Sequence, residues 1–169
     1  MLEMAINHKN ALQQKLANTV MQPEKFYLSV NGYTDYSLDL KEDTWSNIQL
    51  VSVCNNDVLG YFDAQVNRTP RYIRQLAVIN FDNKLFTFGK DFGAFMELLI
   101  YQYKFDKICF SVAVGNPAEK MYDKEVNKLN GQIVGVFKNH YQTPDGKIHD
   151  CKWYEIVSLP GERNRKELK

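Results

Sequence analysis

Val112-Ala113-Val114-Gly115-Asn116-Pro117-Ala118-Glu119-Lys120-Met121-Tyr122-Asp123-Lys124 is the stretch on which the fold is read. Upstream of it, Ile108 to Val114 is an apolar run but for Ser111, as expected for a strand buried on both faces. Downstream, Asn116 is a good helix N-cap and Pro117 sits at the first helical position, where a missing N–H costs nothing. Glu119 falls three residues after the cap, as in a capping box. Tyr122, Val126 and Leu129 then form an apolar stripe, and Asn130-Gly131 supplies a left-handed helix end. The stretch therefore reads as strand, short polar loop, helix.

Reading outward toward the C-terminus, Gln132–Tyr141 and Ile148–Val157 form a hairpin. Thr143-Pro144-Asp145-Gly146 suits a type I turn, with Pro second and Gly fourth. His140 and His149 are expected to face each other across it. Without a firm third ligand the pair is better read as exposed than as a metal site, and no metal is expected.

Toward the N-terminus, Phe92, Phe95, Met96, Leu99 and Tyr103 recur at helical spacing and predict a helix over 91–104. Three strands precede it as a meander: 48–54, 58–66 and 72–81. Asn55-Asn56-Asp57 and Arg68-Thr69-Pro70 mark the turns. Residues 33–46 carry many acidic and aromatic side chains and are assigned no element. Residues 25–30 read as a strand ended by Asn31-Gly32. Residues 2–20 read as a helix stopped by Pro23, within an N-terminal helical segment 1–22. Residues 158–169 read as a solvated, locally basic tail. A mixed sheet with helices on its faces accommodates this order. The crossover helix requires strands 72–81 and 108–114 to be parallel neighbours.

The 169 residues suit one domain spanning 1–169. Hydrophobic residues make up 44% and charged residues 24%, so a core can form without staples. The formal charge of +1 gives no overall field toward nucleic acid or membrane. A local basic group, Arg68, Arg71 and Arg74, is the exception. Cys54, Cys109 and Cys151 show no pairing pattern, which fits a reducing compartment. No apolar run reaches bilayer length and no signal-peptide core is present, so a cytoplasmic location is expected.

The element order and the Asn116–Tyr122 segment resemble the GNAT superfamily of N-acetyltransferases, over roughly residues 48–157. The resemblance implies an α/β (α+β) fold with a mixed, mostly antiparallel sheet that splays between the family's fourth and fifth strands, and helices on both faces. It implies acetyl-CoA as co-substrate, no metal, and direct attack of a primary amine in a ternary complex. Tyr122 matches the family's proton donor to the leaving thiolate; its alternative reading is packing alone. Ala77, Val78 and Ile79, at the exit of the fourth strand, would offer backbone groups to pantetheine. Asn116 would bond the same chain or a water, as well as capping its helix. Gly89, Lys90, Phe92 and Gly93 match the pyrophosphate segment at the start of the family's third helix. The motif is degenerate: Lys90 replaces Arg or Gln, and Phe95 stands where Gly or Ala is usual. Strand 72–81 holds no acidic residue to serve as base, and Asp63 and Asp82 are the nearest carboxylates. Tyr33, Asp35 and Tyr36 would line the acceptor side, since the family selects its substrate in the region after the first strand.

The acceptor could be a small molecule or a protein, and the homodimer is one open oligomeric state. Two other functions fit the same fold. One is a non-catalytic interaction protein, whose cleft would be plugged by Phe92 or Phe95. The other, disfavoured by the charge, is an acyltransferase acting on nucleic acid or aminoacyl-tRNA.

Overall fold

The computed structural model describes residues 1–19, 22–31, 38–81 and 85–158. Its strands are β1 (Leu2–Met4), β2 (Asn47–Cys54), β3 (Asp57–Asn67), β4 (Tyr72–Asn80), β5 (Lys107–Ala113), β6 (Gln132–Gln142) and β7 (Ile148–Val157). They form one seven-stranded sheet in the order β1-β2-β3-β4-β5-β7-β6. Every pairing is antiparallel except that of β4 with β5. The helices are α1 (Lys9–Thr19), α2 (Leu85–Glu97) and α3 (Glu119–Lys128), with short 3-10 turns at Ala5–His8 and Pro23–Asn31. The expected mixed sheet with a parallel crossover through a helix is what forms.

The β2–β3 hairpin follows from its turn chemistry. Asn55 and Asn56 take φ of 50° and 63°, the left-handed pair that a tight hairpin with the twist of its strands demands. At the other hairpin the Gly146 N–H donates to the Thr143 carbonyl at 2.8 Å, and Gly146 sits at φ 82°.

Two apolar clusters lie on the two faces of the sheet. Under α2 and α3 pack Phe62, Phe88, Phe92, Phe95, Phe110 and Tyr154. Phe62 stacks on both Phe88 and Phe95 with centroids 5.2 Å apart. Under α1 pack Ala5, Leu12, Leu16, Val51, Tyr61 and Ile79. Neighbouring strand residues such as Tyr61 and Phe62 serve opposite clusters, as the strand period of two requires.

Four local expectations need correction. Residues 2–20 are not one helix. Leu2–Met4 pair with β2, from Leu2 opposite Ser52 to Met4 opposite Leu50. That edge of β2 would otherwise leave backbone groups unpaired, and a local period cannot register it. Residues 25–30 are not a strand, but part of the 3-10 segment Pro23–Asn31. Helix α2 starts at Leu85 rather than near 91, because Phe88 extends the Phe92–Phe95 stripe by one turn, and it ends in a π-turn, Leu98–Gln102. Finally, Tyr141 rather than His140 lies opposite His149, because the loop between Gln142 and Ile148 sets the register one residue away. His149 packs on Tyr27 and His140 beside Phe137. No described helix is long and apolar enough to cross a membrane.

Candidate active site

β4 and β5 pair at Tyr72 with Lys107 and Ile73 with Ile108, and nowhere further along. Beyond that point β4 stays registered to β3 as far as Asn80, and β5 to β7 as far as Ala113. The two strands therefore part toward their C-terminal ends, and their facing backbone edges do not pair with each other.

A cavity of about 230 Å³ lies at this open end. Val78 and Asn80 of β4 and Phe88 of α2 form one side. Asn116, Pro117, Ala118 and Tyr122 form the second, and Glu24, Lys25 and Tyr27 of the 3-10 segment the third. Apolar rings and polar ends thus meet in one small space, as in most ligand pockets.

Tyr122 is 5% exposed. Phe92 and Phe110 hold its ring edge to face, at 5.4 and 5.9 Å. Among the described residues nothing hydrogen-bonds its hydroxyl. Burial pushes its pKa well above the ordinary phenol value, so the group stays neutral and can donate a proton or a hydrogen bond.

Asn116 does not cap α3 as its sequence suggests: the helix begins at Glu119 with Ala118 at the cap position, and Asn116 instead closes the turn that leads into it. Its Oδ1 accepts from the Ala118 N–H at 2.8 Å, and its carbonyl accepts from the Glu119 N–H at 2.9 Å. Glu119 completes the turn by accepting from the Gly115 N–H at 2.9 Å. Gly115 holds φ 90°, which turns the chain from β5 into the helix. The first turns of α3 are pinned to β7. The Tyr154 hydroxyl donates to Asp123 at 2.6 Å, and Lys152 bridges Glu119 and Asp123.

The candidates named from sequence divide. Val78, Asn116 and Tyr122 meet around the cavity. Ala77 and Ile79 flank Val78 on β4, opposite Asp63 and Tyr61 of β3. Gly89, Lys90, Phe92 and Gly93 are not at a helix start. They lie inside α2, where backbone N–H groups are spent on the helix itself. A Cβ at Gly93 would stand 3.3 Å from a Glu125 oxygen of α3, a tight approach, whereas one at Gly89 would meet the Met121 sulfur at 3.7 Å, an ordinary contact. Lys90 is exposed and Phe92 is in the core. Tyr33, Asp35, Tyr36 and Asp82 lie outside the described residues.

Asp63 is buried, not a surface charge. It accepts from Asn47 at 2.8 Å, Gln49 at 3.3 Å and the Tyr61 hydroxyl at 3.4 Å. Burial raises its carboxyl pKa, and these hydrogen bonds offset only part of that. It does not line the cavity. Glu24, Lys25, Tyr27, Asn80 and Phe88 do, and sequence reasoning missed them. The Phe88-Phe92-Phe95 spacing could have found Phe88; nothing local marks the other four.

Among the described residues no cluster of His, Cys, Asp or Glu side chains is placed to hold a metal. No protein-family model matches the chain, and no curated protein matches it. Solved structures do. A chimera of the spermidine N-acetyltransferase SpeG from Vibrio cholerae and hSSAT superposes with a TM-score of 0.64 at 14% identity, covering 100% of this chain and 98% of that one. A mutant of the Vibrio cholerae enzyme also gives 0.64, at 15% identity over 93% and 94% of the two chains. A candidate acetyltransferase from T. thermophilus gives 0.57 at 14% identity, over 99% and 91%. Strand order, the parting of β4 from β5 and these superpositions agree that the chain has the GNAT N-acetyltransferase fold.

Proposed function

We propose that this protein transfers an acetyl group from acetyl-CoA to a primary amine, by direct attack in a ternary complex in the cytoplasm. The observation that carries the reading is the neutral Tyr122 hydroxyl, without a hydrogen-bond partner among the described residues, on the wall of a cavity at the mouth of the parted strands.

The residues present suit such a co-substrate. The β4 edge at Ala77, Val78 and Ile79 presents backbone donors and acceptors to a slender amide chain, in the manner of an added strand. The Asn116 amide nitrogen has no hydrogen-bond partner among the described residues, because the turn uses only its oxygen. The first turn of α2 beginning at Leu85, rather than Lys90–Gly93, offers the helix N–H groups suited to a phosphate. Acetyl-CoA brings the thioester-activated acyl group.

In the step itself the acceptor amine must be neutral, and Glu24 on the cavity wall is the carboxylate placed to take its proton, directly or through water. Tyr122 gives its proton to the departing sulfur and is restored from solvent. Tyr33, Asp35 and Tyr36 remain the proposed acceptor wall. The acceptor panel should include spermidine, on which the superposed Vibrio cholerae enzyme is named as acting.

The alternatives have less support. Phe92 and Phe95, the expected plugs, point into the core and leave the cavity open. Arg68 and Arg71 are engaged by the carbonyls of Trp45, Thr44 and Lys104 and by Asp106, which weakens a nucleic-acid reading. Isothermal titration with CoA and acetyl-CoA tests the proposal: no heat at millimolar ligand would sink it.

A further inference from the structure

Among the described residues around the cavity, Lys25 alone brings an amine. Its Nζ donates to the backbone carbonyl of Asn80 at 2.9 Å. Asn80 ends β4, two residues past Val78, on the edge that parts from β5. Tyr122 lines the same cavity of about 230 Å³, so amine and phenol border the one space in which a thioester would lie. Lys25 is held differently from Lys128 and Lys152. Lys128 faces Glu97 and Glu125, and Lys152 faces Glu119 and Asp123. Lys25 has no carboxylate partner among the described residues and rests on a neutral carbonyl.

We infer that the ε-amine of Lys25 is an acyl acceptor, so that the protein acetylates itself at this position. The inference rests on the acetyl-transfer reading above. Once Lys25 has lost its proton to water or Glu24, its nitrogen attacks the thioester carbonyl carbon. The C–N bond forms and the C–S bond breaks. The sulfur takes the Tyr122 proton, the second amine proton leaves to water, and Tyr122 is reprotonated from water, so that one proton is released overall. The products are N-acetyl-lysine and the free thiol of CoA, and no redox partner is needed. The modified side chain loses its charge, cannot hold the Asn80 carbonyl as an ammonium does, and carries its acetyl group into the cavity.

The full chain is incubated with acetyl-CoA, and the label is located by peptide mass spectrometry. CoA affinity is measured in parallel by titration. The expected result is a gain of about 42 Da at Lys25, at a rate independent of protein concentration. It should form at least about tenfold faster than at Lys138 and Lys147, which are 76% and 74% exposed and report unassisted chemical acetylation. Tyr122→Phe should slow Lys25 labelling about 100-fold and leave Lys138 and Lys147 unchanged. Lys25→Arg should lose the fast label while Lys138 and Lys147 are labelled as in the parent. If CoA binds but Lys25 is labelled no faster than the exposed lysines, or in proportion to protein concentration, self-acetylation within one chain is overturned and the cleft reading stands. If CoA does not bind, both fall.

Discussion

The ring of Phe92 meets the ring of Tyr122 edge to face, with centroids 5.4 Å apart and planes at 82°. A residue that the family resemblance assigns to the pyrophosphate segment packs here against the candidate proton donor. Phe110 closes the other side at 66°. Ring contacts of this kind add about 1 kcal/mol beyond burial, and together they fix the direction of the hydroxyl.

Tyr122→Phe should therefore separate chemistry from stability. The ring contacts survive and no hydrogen bond among the described residues is lost, so the Tm should shift by less than about 2 °C. Loss of the proton donor should lower kcat about 100-fold or more with little change in KM for acetyl-CoA. Because burial lifts the Tyr122 pKa above its ordinary value, the neutral, active form persists as pH rises. The rate should show no fall from this group through ordinary alkaline pH. Steady-state kinetics against pH and a melting curve check both halves.

Phe92→Ala should do the opposite. It removes a ring that is 1% exposed and should cost about 3–5 kcal/mol, read by urea unfolding. Any surviving protein should also lose activity, because Tyr122 is then free to turn.

Gly60→Ala and Gly135→Ala form a matched pair. A Cβ at Gly60 would stand 2.3 Å from Phe88 Cε2 and 2.7 Å from the Ile79 carbonyl oxygen. The ring can give, but the carbonyl belongs to the neighbouring strand and cannot move without it. A loss of about 1–3 kcal/mol follows. At Gly135 nothing lies within 4 Å, so the same change should stay within about 0.5 kcal/mol of the parent. Equal effects would contradict the packing described at β3 and β4.

Asp63 gives a pH signature. Its folded pKa is raised above the ordinary 3.8 by burial, so the folded state holds this proton more tightly than the unfolded chain does. The resulting stability is full below 3.8 and is lost as pH rises through the folded value. Asp63→Asn removes that loss. Urea unfolding at several pH values should show the variant gaining stability relative to the parent as pH rises from 3.8 toward neutrality.

Lys152→Ala probes the anchor of α3. It leaves Glu119 and Asp123 without their shared cation in a partly solvated site, so a loss of about 1–2 kcal/mol is expected after screening. High salt should narrow the gap between variant and parent in a thermal melt.

What the sequence determined by itself was set by short-range physics. The β5–α3 junction is legible because Asn116, Gly115 and Glu119 close their hydrogen bonds within a few residues of one another. The β2–β3 turn is legible because two asparagines accept positive φ. The meander and the final hairpin follow from runs of apolar residues between such turns. The tertiary structure alone decided what depends on distant partners. Leu2–Met4 become a strand because β2 has an edge to fill. Gly93 lies inside α2 against Glu125 of α3 because the two helices pack on the same sheet face. Lys25 and Tyr27 reach the same cavity as Tyr122 only because β4 and β5 part after two residue pairs and the 3-10 segment closes over the gap. Backbone pairing and turn chemistry are written locally; which surfaces meet is settled by burying both sheet faces at once, and no window of sequence contains that condition.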